Sequence, residues 1–200
     1  VTNYDNTLIG WNTLDAGETQ IPTNITFSGG NSKYCAGEAA RTTLISTYGW
    51  TITDSGINCA EVSPKIVLQG AALNPNTGEE MLMRDDLRVA GLLPTTSPYT
   101  DAVVANATVF NTGGALGVGP IADDIVDWVF VELRDASNST DVLASQSALL
   151  QRDGNVVAID GVSNLVFDLG ADNYFVAIKH RNHLGIMTAD SVLLLHLIHI

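Results

Sequence analysis

The chain has 200 residues, with 9 Lys and Arg against 22 Asp and Glu, a formal net charge of −13 at pH 7, and it is 46% hydrophobic but only 16% charged. That balance excludes a disordered polyelectrolyte, which combines low hydrophobicity with high charge. It also argues against nucleic acid as a partner, because an acidic surface repels phosphate and no basic stripe is present to release counterions.

The first residues, Val1-Thr2-Asn3-Tyr4, lack a charged region followed by an apolar one, so the chain reads as mature or as part of a larger protein. No apolar run reaches about 18 residues, so no membrane insertion is expected. Tyr4–Trp11 reads as a short helix, and Thr23–Phe27 as an alternating strand that ends at the turn Ser28-Gly29-Gly30-Asn31. Glu38–Tyr48 carries Ala40, Leu44, Ile45 and Tyr48 on one helical face, with Gly49 just past the end where a helix terminus favours glycine. Trp50–Thr53 is a short strand, followed by the turn Asp54-Ser55-Gly56. The only thiols are Cys35 and Cys59. With no CxxC pair and no histidine at metal spacing, a disulfide is the expectation in an exported protein, and two separate buried thiols are the alternative.

Composition shifts near residue 60, which sets a first unit at 1–59 and a second at 60–200. In the second, Lys65–Gly70 reads as a strand, Asn74–Gly78 as a turn, Asp85–Leu93 as a short helix or bent strand, and Ala102–Phe110 as a strand. Thr112–Pro120 is a Gly-rich connection expected to be mobile. Ile125–Leu133 (IVDWVFVEL) is apolar on both faces, as a central strand must be. Asp135–Asp141 is a polar turn leading back into Val142–Leu150, and Asn155–Ile159, Asn164–Asp168 and Tyr174–His180 follow as short strands. The apolar tail Ser191–Ile200 reads as a buried strand. Short strands with regular turn punctuation predict a mainly β chain: an antiparallel β-sandwich preceded by a small α/β unit.

Few residues carry a chemical signature. Asp153-Gly154-Asn155 and Asp160-Gly161 offer oxygens to calcium. An EF-type loop nevertheless fails, because its fifth position falls on Val157, and Asp-Gly is also a common turn pair. Turns are therefore expected, with Asp153, Asn155 and Asp160 as the only metal candidates and no other cofactor. Asp123 and Asp124 read as a solvated start to the central strand. Asp127 stands out inside the apolar run and needs a partner in Arg134, Arg152 or Arg181. His180-Arg181-Asn182-His183 reads as a hydrogen-bonded turn between strands, without a third metal ligand at recognisable spacing. Asp127, Arg134, His180, Arg181 and His183 together form a candidate structural polar cluster. His196 and His199 point to opposite faces of any strand. No nucleophile elbow, Cys–His arrangement or GxGxxG unit is present.

Tyr4–Trp11 (YDNTLIGW), Thr26–Cys35 (TFSGGNSKYC), Ala39–Leu44 (AARTTL) and Tyr48–Cys59 (YGWTITDSGINC) resemble the closing unit of BspA-like leucine-rich repeat regions in Bacteroidetes surface proteins. Met83–Pro94, Asp127–Arg134, Ser147–Gly154 and Tyr174–Thr188, with Val67–Gly78, resemble a β-rich module near the C-terminus of large secreted or surface proteins of the same bacteria. The resemblance implies a repeat cap followed by a sandwich module, at the cell surface or outside the cell after type IX export, as part of a larger protein. It implies no catalytic residues. The expected function is non-enzymatic and adhesin-like: recognition of a host or environmental protein or glycan, or service as a spacer. The alternative is a carbohydrate-binding module of a secreted hydrolase, which requires exposed aromatic rings. A third reading, an enzyme, requires His180 and His183 to converge with a carboxylate such as Asp127 or Asp153.

Overall fold

The structure, a computed structural model, describes residues 2–195. Within that range the regular structure is strand more than helix, in largely antiparallel sheets, with a few short helices. The described residues divide into two compact units: 2–61 with Phe167–Asp172 and 194–195, and Val62–Val166 with Asn173–Leu193.

The first unit holds α1 (Thr2–Trp11), β1 (Thr26–Ser28), α2 (Glu38–Ser46) and β2 (Thr51–Thr53). Strands β1 and β2 pair in parallel, Phe27 opposite Ile52, so the intervening α2 is their crossover. Leu8 of α1 and Leu44 of α2 are fully buried, in a core shared with Tyr4, Ile21, Trp50 and Ile52. Asp54 closes this core with polar bonds, accepting from the Tyr4 hydroxyl at 2.8 Å and from Arg41 Nε at 2.8 Å. Burial works to raise the Asp54 pKa, but the bonds from Arg41 and Tyr4 outweigh it and hold the carboxyl below its ordinary value. Asp5 is buried and accepts from the backbone N–H groups of Cys35 (2.7 Å) and Gly37 (2.9 Å), which fixes the approach to α2. Cys35 and Cys59 form a buried disulfide at a sequence separation of 24.

β3 (Cys59–Val62) and β7 (Leu165–Gly170) form a two-stranded sheet. The second unit is built on a larger sheet of β4 (Ile125–Asp135), β5 (Val142–Gln151), β6 (Val156–Val157), β8 (Asp172–His180) and β10 (Val192–Leu194), in the order β10-β8-β4-β5-β6, with β9 (His183–Met187) also pairing β8. The double-sided apolar strand is central, as its pattern requires: β4 pairs antiparallel with β5 and with β8. From β4 itself the fully buried Trp128 packs into a cluster with Val109, Leu149 and Val157, with Tyr99 and Phe110 alongside. Trp128 Nε1 donates to the Pro94 carbonyl at 2.9 Å.

Several local expectations fail for identifiable reasons. Lys65–Gly70 is not a strand. It makes one antiparallel bridge, Lys65 to Asn155, and then turns into the single helical turn α3 (Gln69–Ala72). Ala102–Phe110 keeps only a bridge between Val104 and Thr96; its end coils into a 3₁₀ turn, Ala107–Phe110, because the Asn106 side chain caps the Thr108 N–H at 3.0 Å. The ambiguous Asp85–Leu93 resolves into the short helix α4 (Asp86–Val89).

Asp124 is not solvated. It is 1% exposed, accepts from the Gly113 and Gly114 N–H groups and pairs with Arg88 at 3.1 Å. The Gly-rich connection is thereby pinned at its first turn. Gly113 has φ +82°, and a Cβ there would lie 2.9 Å from the Gly119 carbonyl, so the turn tolerates no side chain. Of the apolar tail, Val192–Leu194 forms a strand; His196, His199 and the rest of the tail lie outside the described residues.

Reduction of the Cys35–Cys59 bridge is expected to lower stability by about 3 kcal/mol in the chain-entropy picture. Urea unfolding with and without dithiothreitol, followed by tryptophan fluorescence, checks this. An unchanged midpoint would contradict it.

Candidate functional site

Alternation along β4 puts Asp127, Val129, Val131 and Leu133 on one face, and the register Val131 to Ile178 and Leu133 to Val176 puts β8 residues beside them. Extending that register one step carries His180 next to Val129, within reach of Asp127. The side chains do meet: His180 Nε2 lies 3.2 Å from Asp127 Oδ2. Arg181, in the turn after β8, bonds the same carboxylate at 2.8 and 2.9 Å. His183, at the start of β9, places its Nδ1 2.9 Å from His180 Nδ1.

The hydrogen-bond partners assign the tautomers. His180 Nδ1 accepts from the Asn182 backbone N–H at 3.1 Å, so its proton sits on Nε2 and is donated to Asp127. His183 must then donate from Nδ1 to His180, which leaves its Nε2 to accept from the Gly70 N–H at 3.4 Å. The result is a directed chain, Gly70 to His183 to His180 to Asp127. Gly70 makes the first link sterically feasible, since a Cβ there would sit 3.2 Å from His183 Nε2.

Asp127 is 3% exposed. Burial alone would raise its pKa, but bonds from His180, the Trp128 N–H and Arg181 outweigh that effect and keep the carboxyl below its ordinary value. Arg134 is not part of this cluster. It bonds Glu132 at 2.6 Å and the Ser139 carbonyl at 2.9 Å, and Lys179 pairs with the other Glu132 oxygen. Arg152 is also elsewhere, on the Met83 carbonyl and Glu79. Of the three arginines that could neutralise Asp127, the one in the turn does so.

Two small cavities, of about 210 and 230 Å³, share Leu68, His180 and His183 in their linings. The second also reaches Arg84, whose buried Nε has no hydrogen-bond partner among the described residues. The surrounding surface is apolar: Leu184 is 94% exposed, and Val67 and Ile186 are also exposed.

The calcium candidates close separate turns. Asp153 accepts from the Asn155 backbone and side chain at 2.9 and 2.6 Å, and Asp160 accepts from the Val162 and Ser163 N–H groups at 3.0 and 2.9 Å. Among the described residues, no group of three or more His, Cys, Asp or Glu side chains is placed to hold a metal ion. Of the aromatic residues of the second unit, Trp128 and Tyr174 are buried, and the half-buried Tyr99 stacks on Phe130 with centroids 5.2 Å apart and donates its hydroxyl to the Trp128 carbonyl at 3.2 Å. No protein-family model, curated protein or solved structure matches the chain. No helix among the described residues is long and apolar enough to cross a membrane.

Replacing Asp127 by Asn is expected to destabilise the protein at pH 7 by about 3 kcal/mol, in the range for breaking a buried ion pair. A depressed folded-state pKa contributes stability above the unfolded value, near 3.8, that disappears as pH falls through the folded value. The gap between wild type and Asp127→Asn should therefore narrow progressively as pH falls below about 4. Urea midpoints across that range check this; a gap that persisted at the lowest pH would contradict it.

Proposed function

We propose that the chain is a non-enzymatic recognition module of a bacterial cell-surface or secreted protein, adhesin-like, that contacts a host or environmental protein or glycan. In this reading residues 1–59 cap a BspA-like repeat region and residues 60–200 form a sandwich-type module, both within a larger exported protein. The observation that carries the reading is the bonding of the histidine pair. Each of its four ring nitrogens is held within the cluster, by Asp127, Asn182, Gly70 or the other histidine. A general base needs a lone pair turned toward a substrate proton, and here the lone pairs accept backbone N–H groups. Such a network holds the turn between β8 and β9 in one shape, and fixed loops on a rigid sheet are suited to recognition. The buried disulfide fits an oxidising compartment.

The full chain, passed over arrays of immobilised glycans and extracellular host proteins, is expected to bind at least one class saturably. Binding should be unchanged by EDTA, because the turn carboxylates bond within their own turns. Absence of saturable binding on both arrays would overturn the recognition reading, and binding abolished by EDTA would overturn its metal-free form.

The second reading, a carbohydrate-binding module of a secreted hydrolase, draws support from aromatic residues in the first unit rather than the second.

A further inference from the structure

We propose that an aromatic-lined cleft in the first unit is a binding site for neutral oligosaccharides. This rests on the recognition reading above and gives it a ligand class and a location. The cleft has a volume of about 720 Å³ and is walled by α1 and the segment around β1. That size lies within the roughly 300–1,000 Å³ of small-ligand sites.

Three rings line it: Trp11, Phe27 and Trp50. Trp11 stands edge-on to Phe27, with centroids 4.7 Å apart and planes at 76°, and lies 5.5 Å from Trp50. Trp50 is anchored by its Nε1 bond to the Pro22 carbonyl at 2.7 Å, whereas Trp11 and Phe27 are only half-buried and keep ring surface on the cleft. Flat apolar rings of this kind are the surface on which the C–H face of a pyranose stacks.

Hydroxyl groups then need acceptors at the rim. Asp15 and Asn6 line the cleft, and neither side chain has a hydrogen-bond or ion-pair partner among the described residues. Glu18 adds a second carboxylate, one of whose oxygens already accepts from the Asp15 N–H at 3.0 Å. These groups accept from sugar hydroxyls, and the Asn6 amide also donates.

The lining chemistry excludes the neighbouring ligand classes. Among the described residues no Lys, Arg or His lines the cleft, so an anionic sugar or a phosphate would meet the carboxylates there without a described cation to offset them. A quaternary ammonium group needs ring faces converging on one point, and the edge-to-face arrangement of Trp11 and Phe27 does not provide that.

The test uses the full chain with cellohexaose, xylohexaose, mannohexaose and choline chloride as probes, read by tryptophan fluorescence and calorimetry. At least one neutral hexasaccharide should give a saturable fluorescence change. Asp15→Ala, on an exposed rim where folding is not at stake, should weaken binding at least fivefold, and Trp11→Ala should abolish it. Far-ultraviolet circular dichroism verifies that each variant is folded. If no hexasaccharide binds the folded chain, or choline binds more tightly than any of them, the sugar assignment is overturned. If a hexasaccharide binds but neither variant changes its affinity, the recognition reading stands and the cleft assignment falls.

Discussion

The second unit depends on a strand that is apolar on both faces and still carries buried charge. β4 pairs on both sides and buries Ile125, Trp128, Val129, Val131 and Leu133 completely. Its start and its length also hold three carboxylates that are almost fully buried: Asp124, Asp127 and Glu132. A buried carboxylate is tolerable only if it is paired and hydrogen-bonded, so each of the three must recruit partners from elsewhere in the chain. Asp124 holds the glycine turn and Arg88, Asp127 holds the turn after β8, and Glu132 holds Lys179 and Arg134.

This arrangement explains how poorly structured segments acquire one conformation. The turn between β8 and β9 contains two histidines, an arginine and an asparagine, which could adopt many hydrogen-bonding patterns in water. With Asp127 fixed in the sheet, Arg181 and His180 are oriented by it, His183 by His180, and Gly70 closes the chain. The polar network thus sets the shape of the two small cavities beside it. In the first unit Asp54 plays a comparable part with Tyr4 and Arg41, and Asp5 with the backbone at Cys35 and Gly37.

Features governed by periodicity were legible in the sequence. The helix at Tyr4–Trp11, the start of the helix at Glu38 and the central strand at Ile125 all follow from apolar spacing, and the hairpin to Val142–Leu150 follows from the polar turn between the strands. Features governed by one long-range bond were not. Nothing local marks Asp124 as buried, because its partners Arg88 and Gly113 are distant in sequence or sit in a loop. Lys65–Gly70 has the composition of a strand, but only Lys65 enters a β-bridge, with Asn155. Asp127 was conspicuous as a charge in an apolar run, and the choice among Arg134, Arg152 and Arg181 needed the register of β4 against β8. No motif marks the aromatic cleft in the sequence: the pairing of β1 with β2 brings Phe27 and Trp50 near each other, and the packing of α1 adds Trp11.

The central claim is that the buried carboxylates of β4 each hold a particular segment in place. Residue-resolved native-state hydrogen exchange on wild type, Asp124→Asn and Asp127→Asn tests it most directly. The expected result is local: Asp124→Asn accelerates exchange at Gly113 and Gly114, and Asp127→Asn accelerates it at Asn182 and along β9, with the other segment little changed in each case. Equal acceleration throughout the second unit in both variants, or no change at these amides, would contradict the account.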